Sequence, residues 1–343
     1  MRLHLKRSHW AALVLVLAAA PAGWFVASST RSVMDRAAAA ERTAFDHPPV
    51  FIGLFSPSQD SGLKPFAMAL HEEGKLLVSY LSSDRVDEFS ERLEPVRTLH
   101  LLEGEPASIT GLATEGDRIY AVDFESGDLL FSDYATGKLV QSYGWLPGNK
   151  SRMKALGVAY YKNNVYVSDI ASRRMLAVGA LAEKDARDEG ELIIGFPNGR
   201  ASEFELGYPT WSMVTPDGRL LVSDAKSGDI KAFTCNGRSA HLFEREGEAA
   251  LQTPMGLAMD DVPSPQLQAK TIGGFDPTHV NHLGRVHVVD ATQAKVKVFD
   301  ALGEYVLSYG QELRQPNGIV INQRKRVIFI SDARLQAIAV YRY

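Results

Sequence analysis

Five residues with chemical potential fall close together: Phe275, Asp276, His279, Asn281 and His282. His279 and His282 are three apart, and Asp276 lies three before His279. Two imidazoles and a carboxylate at that spacing suit a divalent ion if the segment turns back on itself. The same residues also read as a Pro-directed loop re-entering an inner strand, because PTHV precedes GRVHVVD as PTWSMV precedes GRLLVSD. The loop reading is the stronger of the two. No GxSxG, P-loop, dinucleotide fingerprint or HExxH motif occurs, so covalent, phosphoryl, dinucleotide and zincin chemistry have no motif behind them. Asp123 and Asp224 do not make a glycosidase pair on sequence alone, since that assignment needs their separation in space.

The elements that position these residues repeat. A small-residue or Pro/Gly entry leads into a short apolar run, then a second run ending in Asp. It occurs as GLATEGDRIYAVD at 111–123, GVAYYKNNVYVSD at 157–169, WSMVTPDGRLLVSD at 211–224 and NGIVINQRKRVIFISD at 317–332. RVHVVD at 285–290 keeps the second half. Short apolar runs separated by Gly, Asp, Asn and Ser are an all-β signature. A repeated strand unit cannot bury its own faces and must stack on its neighbours. Six units of four strands can be laid out, the last one a strand short at Tyr343. VFIGLFS at 50–56 is a spare strand upstream of the first unit. The expected architecture is a six-bladed β-propeller of four-stranded antiparallel blades, closed by that N-terminal strand, which removes an open edge. Asp123, Asp169, Asp224, Asp290 and Asp332 end the second strand of a unit and read as acceptors for turn amides. The first unit departs, with Ser79-Tyr80 in place of Ser-Asp.

Residues 1–36 differ from the rest. Arg2, Lys6 and Arg7 precede 18 uncharged residues, Trp10 to Ala27. That length is just enough for a spanning helix, and the basic flank suits the positive-inside rule. Ala18-Ala19-Ala20 would supply a signal-peptidase site, although apolar sequence continues beyond it. The expectation is one N-terminal hydrophobic helix at about 10–27 within a signal anchor or signal peptide (1–36). A tether (37–48) and a propeller (49–343) follow. The protein would then sit in the cell membrane, single-pass, with its body on the periplasmic or extracellular side, or be secreted if cleaved.

Five basic residues and Asp35 lie in 1–40, so the body carries a formal −8 against −4 for the whole chain. Such a body has no electrostatic reason to seek nucleic acid. One cysteine, Cys235, allows no disulfide within the chain, and CxxC and CxxCH are absent.

The units resemble NHL repeats. Pro316-Asn317-Gly318-Ile319, Val165-Tyr166-Val167-Ser168-Asp169, Val296-Lys297-Val298-Phe299-Asp300, Tyr143-Gly144 and Tyr309-Gly310 carry the likeness, over about 50–343. NHL-like propellers include interaction scaffolds, RNA-binding modules and a peptide-amidating lyase. The acidic body speaks against the RNA role. The lyase's histidine ligands are spread over several blades, whereas only His279 and His282 form a close pair here. More distantly the chain resembles gluconolactonase-like propellers, in which the position of Asn317 holds an axial metal. The other unit openings supply few oxygen ligands in that register.

The openings of the inner strands face one end of the channel, which makes Phe66, Trp211, Met255, His279 and Asn317 the candidate ligand-binding residues. Plugging of the channel by these side chains is the competing expectation. Asn317, His279, His282 and Asp276 are the weaker candidates for a metal, calcium (Ca) or zinc (Zn), and no cofactor is firmly implied. Insertions at 179–190 and 261–284 are candidate binding-face loops. The function expected from sequence is a membrane-anchored scaffold, more a binder than an enzyme. Its partner would be a protein or peptide of the cell envelope, and the inner membrane would hold it through the helix. The alternative is a metal-dependent, lactonase-like hydrolase or lyase using the channel.

Overall fold

The computed structural model describes residues 33–34, 45–60, 62–144, 152–179, 192–194, 204–263 and 283–343. Strand β1 (Val50–Phe55) comes first and belongs to the last blade. Blade one holds β2 (Pro65–Leu70), β3 (Leu76–Tyr80), β4 (Arg85–Phe89) and β5 (Pro95–His100). Blade two holds β6 (Ile109–Glu115), β7 (Arg118–Asp123), β8 (Asp128–Asp133) and β9 (Leu139–Tyr143). Blade three holds β10 (Ala155–Tyr161), β11 (Asn164–Asp169), β12 (Arg174–Gly179) and β13 (Leu192–Ile194). Blade four holds β14 (Pro209–Val214), β15 (Arg219–Asp224), β16 (Asp229–Thr234) and β17 (Ser239–Leu242). Blade five holds β18 (Pro254–Met259), β19 (Val286–Asp290), β20 (Lys295–Phe299) and β21 (Tyr305–Tyr309). Blade six holds β22 (Pro316–Asn322), β23 (Val327–Asp332) and β24 (Ala337–Arg342), with β1 as its outer strand.

The ring closes as expected: β1 pairs antiparallel with β24, from Val50 opposite Arg342 to Phe55 opposite Ile338. First and last segments thus share one sheet, and β24 is left with no unpaired edge. Every inner strand begins at the same end of the ring, here the upper end. Links between blades and the turns after each second strand lie there. The turns after each first and third strand lie at the lower end.

The blades are held by close approach of their inner strands. Gly157 in β10 shows how close: a Cβ there would lie 2.4 Å from the Thr210 carbonyl oxygen in β14. At Gly318 a Cβ would lie 2.5 Å from the Phe66 carbonyl oxygen. Serines on the second strands stitch the same seams. Ser79 Oγ donates to the Ile109 carbonyl at 2.7 Å, and Ser223 Oγ to the Met255 carbonyl at 2.7 Å. Ser331 Oγ does so to Phe66, which joins the last blade to the first. These hydroxyls are fully buried, so each bond also avoids the desolvation cost of an unpaired polar group.

The turn aspartates perform the role read from sequence. Asp332 accepts backbone N–H groups from Arg314 (2.7 Å), Gln315 (3.0 Å), Arg334 (3.0 Å) and Leu335 (2.9 Å). Asp123, Asp224 and Asp290 do the same in their blades. In blade one Tyr80 takes the register position of that aspartate, opposite Pro65. Its hydroxyl donates instead to Asp87 at 2.7 Å.

One expectation needs correction. The N-terminal hydrophobic helix expected at about 10–27 lies outside the described residues, and among those described no helix is long and apolar enough to cross a membrane. Apart from one 3-10 turn, the described elements of the ring are strands of three to seven residues, far short of the roughly 20 apolar residues a spanning helix needs. The signal anchor, single-pass placement and inner-membrane attachment built on that helix are therefore withdrawn. In blade five the run MGLAM at 255–259 forms the inner strand β18, which pairs directly with β19 from Pro254 opposite Asp290 to Met259 opposite Val286. The PTHV segment lies outside the described residues.

Gly157→Ala should destabilise the ring by about 1–3 kcal/mol, because a backbone carbonyl blocks the new methyl. Gly111→Ala, whose Cβ would meet its nearest atom at 3.1 Å, should cost less. Urea denaturation of the two variants measures the difference.

Candidate functional site

At the upper mouth of the channel, Phe66 and Trp211 come from blades one and four, which face each other across the axis. Their ring centroids are 5.8 Å apart with a 49° interplanar angle. Rings from opposite blades can meet at that distance only by filling the axis. Both are buried, as is Met255 beside them in the same core cluster. Register explains the asymmetry. The third residue of each inner strand is Ala67, Gly111, Gly157, Trp211, Gly256 or Gly318. Five positions are small, and blade four alone places a large ring there. This Trp uses the space that the small residues leave.

Asn317 is buried at the same mouth, and its Nδ2 donates to the Gln315 carbonyl at 3.0 Å. The matching positions of the other blades are Phe66, Thr110, Leu156, Thr210 and Met255. The two threonine hydroxyls already donate to the carbonyls of Leu156 (2.9 Å) and Pro254 (2.7 Å). That donor set lacks carboxylates and is largely apolar, so it does not fit an axial divalent metal. Among the described residues no group of three or more His, Cys, Asp or Glu side chains could hold a metal ion. Asp276, His279 and His282 lie outside the described residues. β18 ends and β19 begins at the lower end, opposite the mouth formed by Phe66, Trp211, Met255 and Asn317.

Two imidazoles are paired with buried carboxylates, in contrasting settings. His287 on β19 is fully buried. Its Nδ1 lies 3.0 Å from the Tyr309 hydroxyl and its Nε2 2.9 Å from Asp260. Arg285 contacts the same carboxylate through Nε at 2.8 Å and donates Nη1 to the Phe45 carbonyl at 2.8 Å. Burial holds the His287 pKa below its ordinary value, against the opposing pull of Asp260. Burial pushes the Tyr309 phenol well up. Asp260 stays below the usual carboxylate range although burial opposes this, because His287 and Arg285 bond to it. The consistent state is a neutral imidazole between a phenol and an ionised carboxylate, with Arg285 balancing the charge. This cluster ties the segment before β1 to the lower end of blade five and is sealed from substrate.

His100, at the upper end of β5, is the open counterpart. Its Nδ1 lies 2.9 Å from Asp84 Oδ1, and the Asp84 carboxylate also accepts the Gly104 N–H at 2.8 Å. The imidazole side chain is 54% exposed while that of Asp84 is 7% exposed. A buried carboxylate orients the ring, and Nε2 remains for proton exchange. Sequence reading passed over this pair because its members stand in different parts of the unit. The only signal available was a turn Asp and a strand-end His within one unit.

No family model matches this chain, and no curated protein matches it. Solved structures do. A streptogramin B lyase structure aligns with TM-score 0.54 and 15% identity over 86% of each chain. A catalytically inactive virginiamycin B lyase from Staphylococcus aureus with quinupristin aligns with TM-score 0.54 and 13% identity, over 84% of this chain and 87% of that one. The selenomethionine-substituted enzyme from the same organism gives 0.54 and 11%, over 84% and 82%. Likeness at this identity shows the fold, a six-bladed propeller. The matching propellers are lyases, one of them in complex with quinupristin, and among the described residues no spanning helix supports an anchor. The membrane-anchored scaffold, its protein or peptide partner in the cell envelope and the preference for a non-enzyme are not carried forward.

Stability should fall on mild acidification. His241 is held down to about 4 by burial and then by the Arg219 charge, and His287 shifts the same way. Each imidazole binds a proton more readily in the unfolded chain. Its contribution is complete above the ordinary value of 6.5 and is lost as pH falls toward the folded value. His241→Asn should flatten the melting-temperature profile between pH 6.5 and about 4, the interval that the His241 shift defines.

Proposed function

We propose that this chain is a propeller enzyme of the lyase type that acts on a small organic molecule at its upper face. The propeller spans about 49–343 and is built of NHL-like units. The observation that carries the reading is the likeness to lyases over 84–86% of the chain. The His100–Asp84 pair supplies the chemistry such a reaction needs, and it lies at the end where the inner strands begin.

In an elimination, a base removes a proton from a carbon beside an electron-withdrawing group. The electron pair forms a double bond as the leaving group departs from the neighbouring carbon, and no water is consumed. His100 Nε2 takes that proton and returns it to the leaving group. Asp84 fixes the tautomer through Nδ1 and stabilises the imidazolium that forms. The closed floor of Phe66, Trp211 and Met255, with the Asn317 amide beside it, offers an apolar surface near the axis on which a substrate body can rest.

Incubation of the purified chain with quinupristin, followed by mass spectrometry, tests this. Ring opening by elimination leaves the mass unchanged, whereas hydrolysis adds one water. His100→Gln should lower kcat by roughly 10²–10⁴-fold with the melting temperature preserved. Turnover that His100→Gln leaves intact removes the proposed base. Addition of water to the product replaces the lyase reading with a hydrolase. Absence of conversion, across quinupristin and a panel of other cyclic esters, overturns the reading.

A further inference from the structure

The outer strands of the closing seam leave a groove of about 590 Å³ between the last blade and the first. Its apolar wall is Phe55 from β1, Phe89 from β4, Leu93 from the following turn and Val96 from β5. Phe55 and Phe89 meet edge to face, with centroids 5.0 Å apart. The volume lies within the ordinary range for small-molecule sites. A bulge in the pairing of β4 with β5, between Glu88 and Phe89, sets Pro95 opposite Phe89. Val96 stands 48% exposed on the outer side.

The polar floor is locked. Asp87 accepts from Arg85 Nε (2.8 Å) and Nη2 (2.8 Å), from the Tyr80 hydroxyl (2.7 Å) and from Thr98 Oγ1 (2.6 Å). Four donors saturate that carboxylate, and the Arg85 charge is spent on it. Arg97 also borders the groove, but its guanidinium bonds to Glu88 of its own blade and to the Tyr134 carbonyl of blade two at 2.8 Å. Asp60 and Glu94 also line the groove. The cavity therefore joins an apolar, aromatic wall to a negative field, and both arginines among the described residues that line it are already committed to carboxylates.

We propose that this groove binds a small organic cation with an apolar body, such as an aryl-alkyl ammonium. The body lies along Phe55, Phe89, Leu93 and Val96, and the charged head faces the exposed Asp60 carboxylate. Aromatic faces add attraction for a desolvated cation. The site shares no residue with the channel mouth or the His100–Asp84 pair, so it stands apart from the enzymatic reading.

Three probes with matched bodies test it by saturation-transfer NMR and calorimetry on the full chain: phenethylammonium, 2-phenylethanol and phenylacetate. Phenethylammonium should bind tighter than the alcohol by roughly threefold, the size of an exposed charge contact, and phenylacetate weakest. Asp60→Asn should level the ammonium and the alcohol. Val96→Trp, which fills the groove from an exposed position, should abolish saturation transfer while leaving the thermal melt in place. Binding unaffected by Val96→Trp, equal affinity for all three probes, or no binding by any of them overturns the proposal.

Discussion

Close approach of neighbouring inner strands around the axis is the constraint on which the rest of this structure depends. Six strands converge there, and a Cβ at Gly157 or Gly318 would strike the backbone carbonyl of the next blade. The small residues at that register follow from this crowding, as do the buried serine hydroxyls that bridge one blade to the next. A hydroxyl is short enough to fit the seam and reaches the adjacent carbonyl without opening a gap. The blades are thus joined by polar stitches inside an otherwise apolar interface, where each unmade bond would be costly.

The same crowding makes Trp211 informative. Five blades keep a small residue where blade four places an indole, and that indole fills the axis against Phe66. The upper mouth is consequently a closed floor. At the same end of the ring, on the outer strand of blade one, His100 is an exposed imidazole oriented by a buried carboxylate. The sealed Asp260–Arg285–His287 cluster at the lower end contains similar groups with a different consequence. There, burial keeps the imidazole neutral, and Arg285 ties down the segment at Phe45. Access and burial decide which of the two can do chemistry.

Closure of the ring by β1 has a cost and an opportunity. It satisfies the edge of β24, yet strands from distant parts of the chain must meet at one seam. Blade one is irregular at that seam: Tyr80 replaces the turn aspartate, and its hydroxyl turns to Asp87. Asp87 and the bulge beside Phe89 border the groove that Phe55 and Val96 also line. The seam is therefore both the lock of the fold and the place where its repeat breaks.

Repeat count, blade layout and the closing strand were legible in the sequence because they rest on short-range physics. Alternation of apolar residues, Gly and Asn turns, and an aspartate accepting amides near a neighbouring strand end all recur within one unit. The spare strand at 50–56 and the missing fourth strand of the last unit were enough to predict closure. Side-chain arrangement was legible only in part. Phe66, Trp211, Met255 and Asn317 share a mouth because the openings of inner strands share an end, and the strand pattern alone implies that. That the first two rings meet across the axis depends on the radius of the ring, which no local pattern encodes. The pairing of His100 with Asp84, the burial of His287 and the groove at the seam were decided by tertiary structure alone. Each depends on how far neighbouring strands and blades stand apart, a distance set by all the side chains packed between them.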